Sequence, residues 1–341
     1  MNKLLRIGTR ESQLAVWQAT LVKNLLAANG YEAELVYIKS EGDIDLQTPL
    51  YEMGVQGIFT RSLDVALLHN RIDLAVHSMK DVPTVLPKGI IQTAVLKRAS
   101  YKDLLVFKGD ADKIYEVLGF ANGGWVSSEL SVSSELSVVS KEQHHSPLTT
   151  DHSPLTIATS SIRRKAQWLN RYPNHSIENL RGNVNTRLKK VEESRWNGAI
   201  FAAAGLERID LRPENSVELD WMLPAPAQGA IMVVSRLGDE YALEACRYFN
   251  DEHTALCTKT EKDFLRTLMG GCSTPISALA EIKNDQLVFK GNIFSVDGKQ
   301  RADVEKTLPI ANATNIGNEA AHELLKNGGQ AIADTIPHEG K

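Results

Sequence analysis

No stretch of this chain reaches the roughly 18 consecutive apolar residues that a membrane-spanning helix needs, so a helical membrane protein is not expected. The opening residues Met1-Asn2-Lys3-Leu4-Leu5-Arg6 lack the apolar core and small-residue cleavage site of a secretory signal, and the expected location is the cytoplasm. Cysteine is scarce: Cys246, Cys257 and Cys272 are the only three, an odd number without a C-x-x-C pair. Neither a disulfide framework nor a zinc knuckle is signalled, and a reducing compartment fits. Positive charge is not in excess either. A net charge of −4 speaks against a general affinity for nucleic acid, although local basic clusters can still select anions.

What is present is the composition of a folded, soluble protein: 43% hydrophobic and 23% charged over 341 residues. That length suits roughly two or three domains, each with a core of its own. Residues 4–7 read as a short strand broken by Gly8-Thr9-Arg10. Ser12 can cap the helix that follows, whose apolar face is Leu14, Trp17, Leu21, Val22, Leu25 and Leu26 and which ends at Asn29-Gly30. A strand at 35–38, a helix beginning near Thr60, and strands at 74–76 and 90–96 extend an alternating α/β pattern. A second set starts at 104–107 and continues with a strand at 155–158, a helix over 161–169, a helix after Asn183 and a strand at 199–204. The Pro- and Gly-rich run 223–229 reads as a crossover between domains, leading into a strand at 230–234.

Past about Asp251 the pattern becomes α+β: one helix, apolar runs at 275–282, 286–294 and 301–308, and a final helix near 315–325. The expected domains are 1–98 with 230–248, then 103–222, then 251–341. Residues 127–154 obey none of these periods. Ser-Ser-Glu-Leu-Ser-Val occurs there twice and His-Ser-Pro-Leu-Thr recurs, as in a duplicated, low-complexity surface insertion, placed at about 110–154 within the second domain and projecting away from its cleft. His144, His145 and His152 lie in it with no rigid element to orient them, so no metal site is expected.

Three places carry chemistry. The strand at 74–76 runs into His77-Ser78-Met79-Lys80-Asp81-Val82-Pro83, and open α/β sheets bind ligands beyond the carboxyl ends of their strands. There Asp81 beside Lys80 is either a carboxylate placed to accept an N–H and face developing positive charge, or the cap of a tight turn before Pro83. Next, Thr159-Ser160-Ser161-Ile162-Arg163-Arg164 joins hydroxyl residues at a strand end to two arginines at a helix start, an anion site in which free N–H groups and guanidinium forks both recognise carboxylates. Arg181-Gly182-Asn183 with Thr186-Arg187 repeats the device, and Arg208 follows the next strand. A single arginine is more often a solvated surface residue, but several at successive strand ends suit a polycarboxylate ligand. Arg10 and Ser12 fill the first strand-to-helix loop, as ligand contacts or as an ordinary helix start. Last, Gly270-Gly271-Cys272 places a thiol on a Gly-rich loop, accessible as a covalent attachment point or buried as an inert cysteine.

The runs 75–83, 159–164, 181–187, 225–229 and 270–272, in this order and spacing over nearly the whole chain apart from the insertion, closely resemble the porphobilinogen deaminase family. The resemblance implies two periplasmic-binding-protein-like (type II) α/β domains around a cleft, the first completed by chain returning after Gly229, plus a C-terminal α+β domain. It implies a transferase of porphyrin and heme biosynthesis that joins four porphobilinogens head to tail with loss of ammonia. The reaction is primed by a covalent dipyrromethane and ends in hydrolytic release of the linear tetrapyrrole. Cys272 matches the thioether attachment point and Asp81 the catalytic aspartate, with Lys80 beside it. Lys80, Asp81, Ser161, Arg163, Arg164, Gly182 and Arg187 match residues around the cofactor, and Arg10, Ser12, Phe59, Arg181, Arg208 and Gln228 match residues around the substrate. Each pyrrole brings two carboxylates, which explains so many cations. The Gly-rich segment around Met53-Gly54 and Gln56-Gly57 looks like the family's lid, with Glu52 and Gln56 where lysines are common and Phe59 as the stacking aromatic. A monomer is implied, with neither a nucleic-acid nor a membrane partner.

Two other readings remain. A small-anion binding protein of periplasmic-binding-protein fold shares the cleft, but needs no accessible cysteine and normally carries a secretion signal. A nucleic-acid binder using Arg163, Arg164, Arg181 and Arg187 is disfavoured by the net charge of −4.

Overall fold

The computed structural model describes residues 3–39, 60–121, 123–125, 154–268 and 274–336. The lid segment with Glu52, Gln56 and Phe59, the repeats of the insertion, and Cys272 lie outside the described residues.

The first domain begins with strand β1 (Leu5–Thr9), helix α1 (Gln13–Ala28) and strand β2 (Ala33–Tyr37). Helix α2 (Arg61–Leu68) and strands β3 (Leu74–Ser78) and β4 (Ile90–Val95) follow. Ala15, Ala19, Val22 and Leu26 recur at helical spacing and form the buried face of α1. The helix ends where Gly30 takes a positive φ of 81°. Along β3 the side chains alternate: Leu74 and Val76 pack under α1, and Ala75 packs toward α2.

The second domain contains β5 (Asp103–Phe107), α3 (Ala111–Leu118), a short pair β6 (Phe120–Ala121) and β7 (Gly124–Trp125), and β8 (Thr156–Ala158). It continues with α4 (Ile162–Arg171), β9 (Ser176–Glu178), α5 (Val184–Glu193), β10 (Gly198–Ala202), α6 (Ala203–Glu207) and β11 (Ser216–Glu218). The chain then returns to the first domain as β12 (Ile231–Arg236) and α7 (Glu240–Arg247).

Both sheets have five strands, in the orders β2-β1-β3-β12-β4 and β11-β5-β10-β8-β9. In each, four strands run in one direction, and the strand delivered by a crossover, β12 or β5, runs antiparallel to both of its neighbours. The third domain packs α8 (Glu252–Thr267) and α9 (Ile316–Leu324) on an antiparallel sheet of β13 (Ile276–Lys283), β14 (Gln286–Phe294) and β15 (Arg301–Pro309), with Phe264 meeting Phe289 edge-on at 5.1 Å. A last short helix, α10 (Gln330–Ala333), completes it. The expected architecture, two α/β domains around a cleft plus a C-terminal α+β domain, is present.

Three expectations are corrected. The stretch expected as insertion from about residue 110 contains α3, which Asp110 caps through Asp112 N and Gly119 ends in the left-handed region. Ile114 and Leu118 seat that helix in the second core, and Trp125 donates to the Glu218 carbonyl at 2.8 Å, so the chain through Trp125 belongs to the second domain's fold. The strand expected over 199–204 stops at Ala202, where the chain turns at once into α6. Ser12 holds the N-cap position of α1, but its hydroxyl makes no capping bond.

Candidate active site

The carboxyl end of β3 passes into a 3-10 turn, Met79–Asp81, which carries Lys80 and Asp81 out of the sheet while Met79 stays in the core. Asp81 lines a cleft with Arg10, Leu14, Gln18, Thr60, His77 and Ser78. Gln18 of α1 donates to the Ser78 hydroxyl at 2.9 Å and ties the cleft wall to the strand end. His77 is buried, with no hydrogen-bond partner at Nε2. Burial, then Arg10 and Lys262, push its imidazole down to about 3, so it is neutral at physiological pH.

Opposite stand the helix starts of the second domain. Asn183 caps α5 through Thr186 N, and Asn185 on the same first turn donates to Gln13 of α1 at 3.0 Å, so the openings of α1 and α5 face one another. Gly182 is required there: its φ is +114°, and a Cβ would lie 2.7 Å from the Thr186 methyl. Arg187 lies on the first turn of α5 and feels the charge of Asp81 on the facing domain. Burial, then Arg164 and Arg181, push its guanidinium down to about 10 against the opposing pull of Asp81. Arg208 donates to the Gly229 carbonyl at 2.7 Å and lies over the Trp17 ring of the first domain, and burial lowers it to about 10.

Arg163 and Arg164 are placed differently from the expectation of two open forks. Both are almost fully buried, and the anion they meet is the chain's own Asp103. Arg163 Nη2 and Arg164 Nη2 each donate to it at 2.7 Å, and their remaining contacts are to the carbonyls of Leu223 and Ile200. Burial alone raises a carboxyl, yet the two guanidiniums hold Asp103 well below the usual carboxylate range. Ser161 caps α4 by accepting from Arg164 N. Gln228, 1% exposed, accepts from Lys80 Nζ at 3.3 Å and donates to Asp103 at 2.8 Å. Lys80 is pushed down to about 8 by burial and then by Arg164, against Asp81 and Asp103.

Sequence reading missed Asp103 and the anchors from the third domain. Glu261 of α8, fully buried, accepts from Arg98 Nη1 at 2.5 Å and from the Ala280 and Ala227 backbone N–H groups at 2.7 and 2.6 Å. Its neighbour Lys262 donates to the Val82 and Pro83 carbonyls at 2.6 and 3.1 Å, just past Asp81. The available signal was an acid opening an otherwise apolar run, Asp103-Leu104-Leu105-Val106-Phe107, and an acid on the buried stripe of α8.

The donors suit carboxylates. The Nε atoms of Arg163 and Arg187 are buried and have no hydrogen-bond partner among the described residues; Arg163 already meets Asp103, whereas Arg187 has no ion pair there, and a buried cation is stable only beside an anion. Among the described residues, no group of acidic, His or Cys side chains is arranged to hold a metal, and no helix is long and apolar enough to cross a membrane.

Two five-stranded α/β domains share a cation-lined cleft, and a third α+β domain is fastened to both crossovers. Residues 5–244 match the family described as porphobilinogen deaminase, dipyromethane cofactor binding domain, and residues 255–326 match porphobilinogen deaminase, C-terminal domain. The porphobilinogen deaminase of Trichlorobacter lovleyi is 36% identical over 98% of this chain and 97% of its own length. That of Chlorobium phaeobacteroides is 37% identical over 98% and 99%. Among solved structures, an ancestral cationic amino acid solute binding protein aligns with a TM-score of 0.39 at 15% identity, covering 72% of this chain and 89% of that one. The chain belongs to the porphobilinogen deaminase family. Its activity is the hydroxymethylbilane synthase reaction, a transferase chemistry of porphyrin biosynthesis that uses a dipyrromethane cofactor and porphobilinogen as substrate.

Proposed function

We propose that Asp81 is the catalytic group of this reaction, with Lys80 beside it, and that Cys272 carries the cofactor through a thioether. In this reading Lys80, Ser161, Arg163, Arg164, Gly182 and Arg187 surround the cofactor's carboxylates, and Arg10, Ser12, Phe59, Arg181, Arg208 and Gln228 receive the incoming substrate. The observation that carries the assignment is the opposition of Asp81 on one domain to the Arg187 guanidinium on the other, across a cleft whose buried donors await anions.

When bound, the dipyrromethane supplies the free pyrrole carbon to which the first porphobilinogen is joined. The chain's own residues do the rest. Asp81, an acceptor only, takes a pyrrole N–H and offers negative charge where positive charge develops as ammonia leaves the substrate. The arginines and Lys80 fix the carboxylate arms and so set the approach of the two carbons to be joined. His77, neutral and without a partner at Nε2, adds no competing charge beside Asp81. We also assign a monomer working in the cytoplasm, supported by the family resemblance and by Cys246 and Cys257 being free, buried thiols.

The decisive experiment compares the intact mass of the purified protein with that of Cys272→Ala, together with a pyrrole-specific colour reaction. An excess mass of two linked pyrroles in the parent alone is expected. An adduct that survives in Cys272→Ala would remove that cysteine from the reading.

A further inference from the structure

Asp103 has been given no role in the reaction, yet its carboxylate joins the cations of both domains. It is fully buried at the start of β5. Its Oδ1 accepts from Arg164 Nε at 3.2 Å, Arg164 Nη2 at 2.7 Å and Gln228 Nε2 at 2.8 Å, and its Oδ2 accepts from Arg163 Nη2 at 2.7 Å. Gln228 accepts in turn from Lys80 Nζ at 3.3 Å. Direct hydrogen bonds therefore run from Lys80 on the first domain, through Gln228 on the crossover, to Asp103 and the two arginines of the second.

We propose that Asp103 is a positioning residue for the reaction: its carboxylate holds Arg163 and Arg164 in register and, through Gln228, keeps the Lys80 ammonium charged and aimed beside Asp81. This rests on the reading that Lys80 binds carboxylates in the cleft.

The argument is one of charge balance. Arg164, Arg163, Asp81, Asp103 and Gln228 are among the groups facing Lys80. A guanidinium holds its proton more tightly than an ammonium, so a surplus of positive charge in this cluster is relieved first at Lys80. Burial, Arg164 and Arg163 already draw Lys80 down to about 8, and Asp81 and Asp103 oppose them. Removing the Asp103 charge draws it further, into the range where the amine is neutral and no longer a carboxylate donor of full strength.

The test compares the parent with Asp103→Asn, which keeps the shape and removes the charge. Acetylation of Lys80 is followed against pH by peptide mass, and the alkaline limb of kcat/KM is recorded on cofactor-loaded enzyme. The Lys80 midpoint is expected to fall by about one pH unit, the size of an ordinary environmental shift, and the alkaline limb to fall with it. Loss of a merely structural ion pair lowers Tm and moves neither, so a midpoint and limb that stay with the parent overturn the proposal. Should Asp103→Asn not fold, Gln228→Met decides by the same readouts, because it cuts the link to Lys80 and leaves the arginine pairs intact. A shift in the same direction is expected there, and coincidence with the parent overturns the proposal. Lys80→Met separates the two layers: an alkaline limb that persists without Lys80 sinks its role in the site, while the Lys80 acetylation midpoint in Asp103→Asn, compared with the parent, still reports on Asp103.

Discussion

Asp103 and Ile231 occupy the same place in the two five-stranded sheets. Each opens the antiparallel strand that arrives from the other domain, and each lies opposite the last residue of the central parallel strand, Ala202 for Asp103 and Ser78 for Ile231. In the first domain this position is apolar and belongs to the core under α1. The acid of that half, Asp81, sits beyond the strand end and lines the cleft. In the second domain the acid is inside the sheet and the arginines of α4 close over it. One scaffold thus supplies two electrostatic designs. An acid outside the sheet meets a ligand, and an acid inside it organises the protein's own cations.

The largest effect is expected where the outer acid is removed. Asp81→Asn should lower kcat by about 10²–10⁴-fold, the usual reach of a positioned carboxylate, and leave Tm unchanged. A fully active variant would show that the two acids do not differ in kind. Next comes the converse exchange, Ile231→Asp, which gives the first domain an inner acid without arginines to meet it. An uncompensated buried charge costs about 3–5 kcal/mol, so the melting temperature should fall steeply. A variant as stable as the parent would mean that the arginine pair is not what makes Asp103 tolerable. The smallest effect separates arginines within the second domain. Arg187 makes no ion pair among the described residues, so Arg187→Leu should raise KM about tenfold, about 1.4 kcal/mol of binding, at unchanged Tm. Arg163→Leu should stall elongation and also lower Tm, because it strips a partner from Asp103. Equal melting temperatures for the two variants would erase the distinction between ligand-facing and acid-facing arginines.

Periodicity made most of the fold legible. The face of α1 and the return of the chain as β12 follow from local spacing of apolar residues, which repeats every few positions. The turn carrying Asp81 was legible because a polar run directly follows a buried strand. What was not legible depends on partners distant in sequence. Arg163 and Arg164 sit at a helix start as expected, but their forks turn toward Asp103, about 60 residues earlier, and no local pattern carries that information. Glu261 is similar: it reads as one more charge on a helix until Arg98, Ala227 and Ala280 converge on it. The helix α3 had the opposite fate. Its cap, its apolar face and its terminal glycine are all local, and they were masked by the repetitive run that follows.

The two crossovers touch as well as run side by side. Gly229, at φ +86°, lies so close to the other crossover that a Cβ would come within 2.6 Å of the Ser100 carbonyl, and its own carbonyl accepts from Ala99 at 3.1 Å. Arg98, one residue earlier, is riveted with Ala227 to the same carboxylate of Glu261. Two ribbons stitched together at one point resist separation there, so a growing oligomer finds its room in the cleft away from that seam.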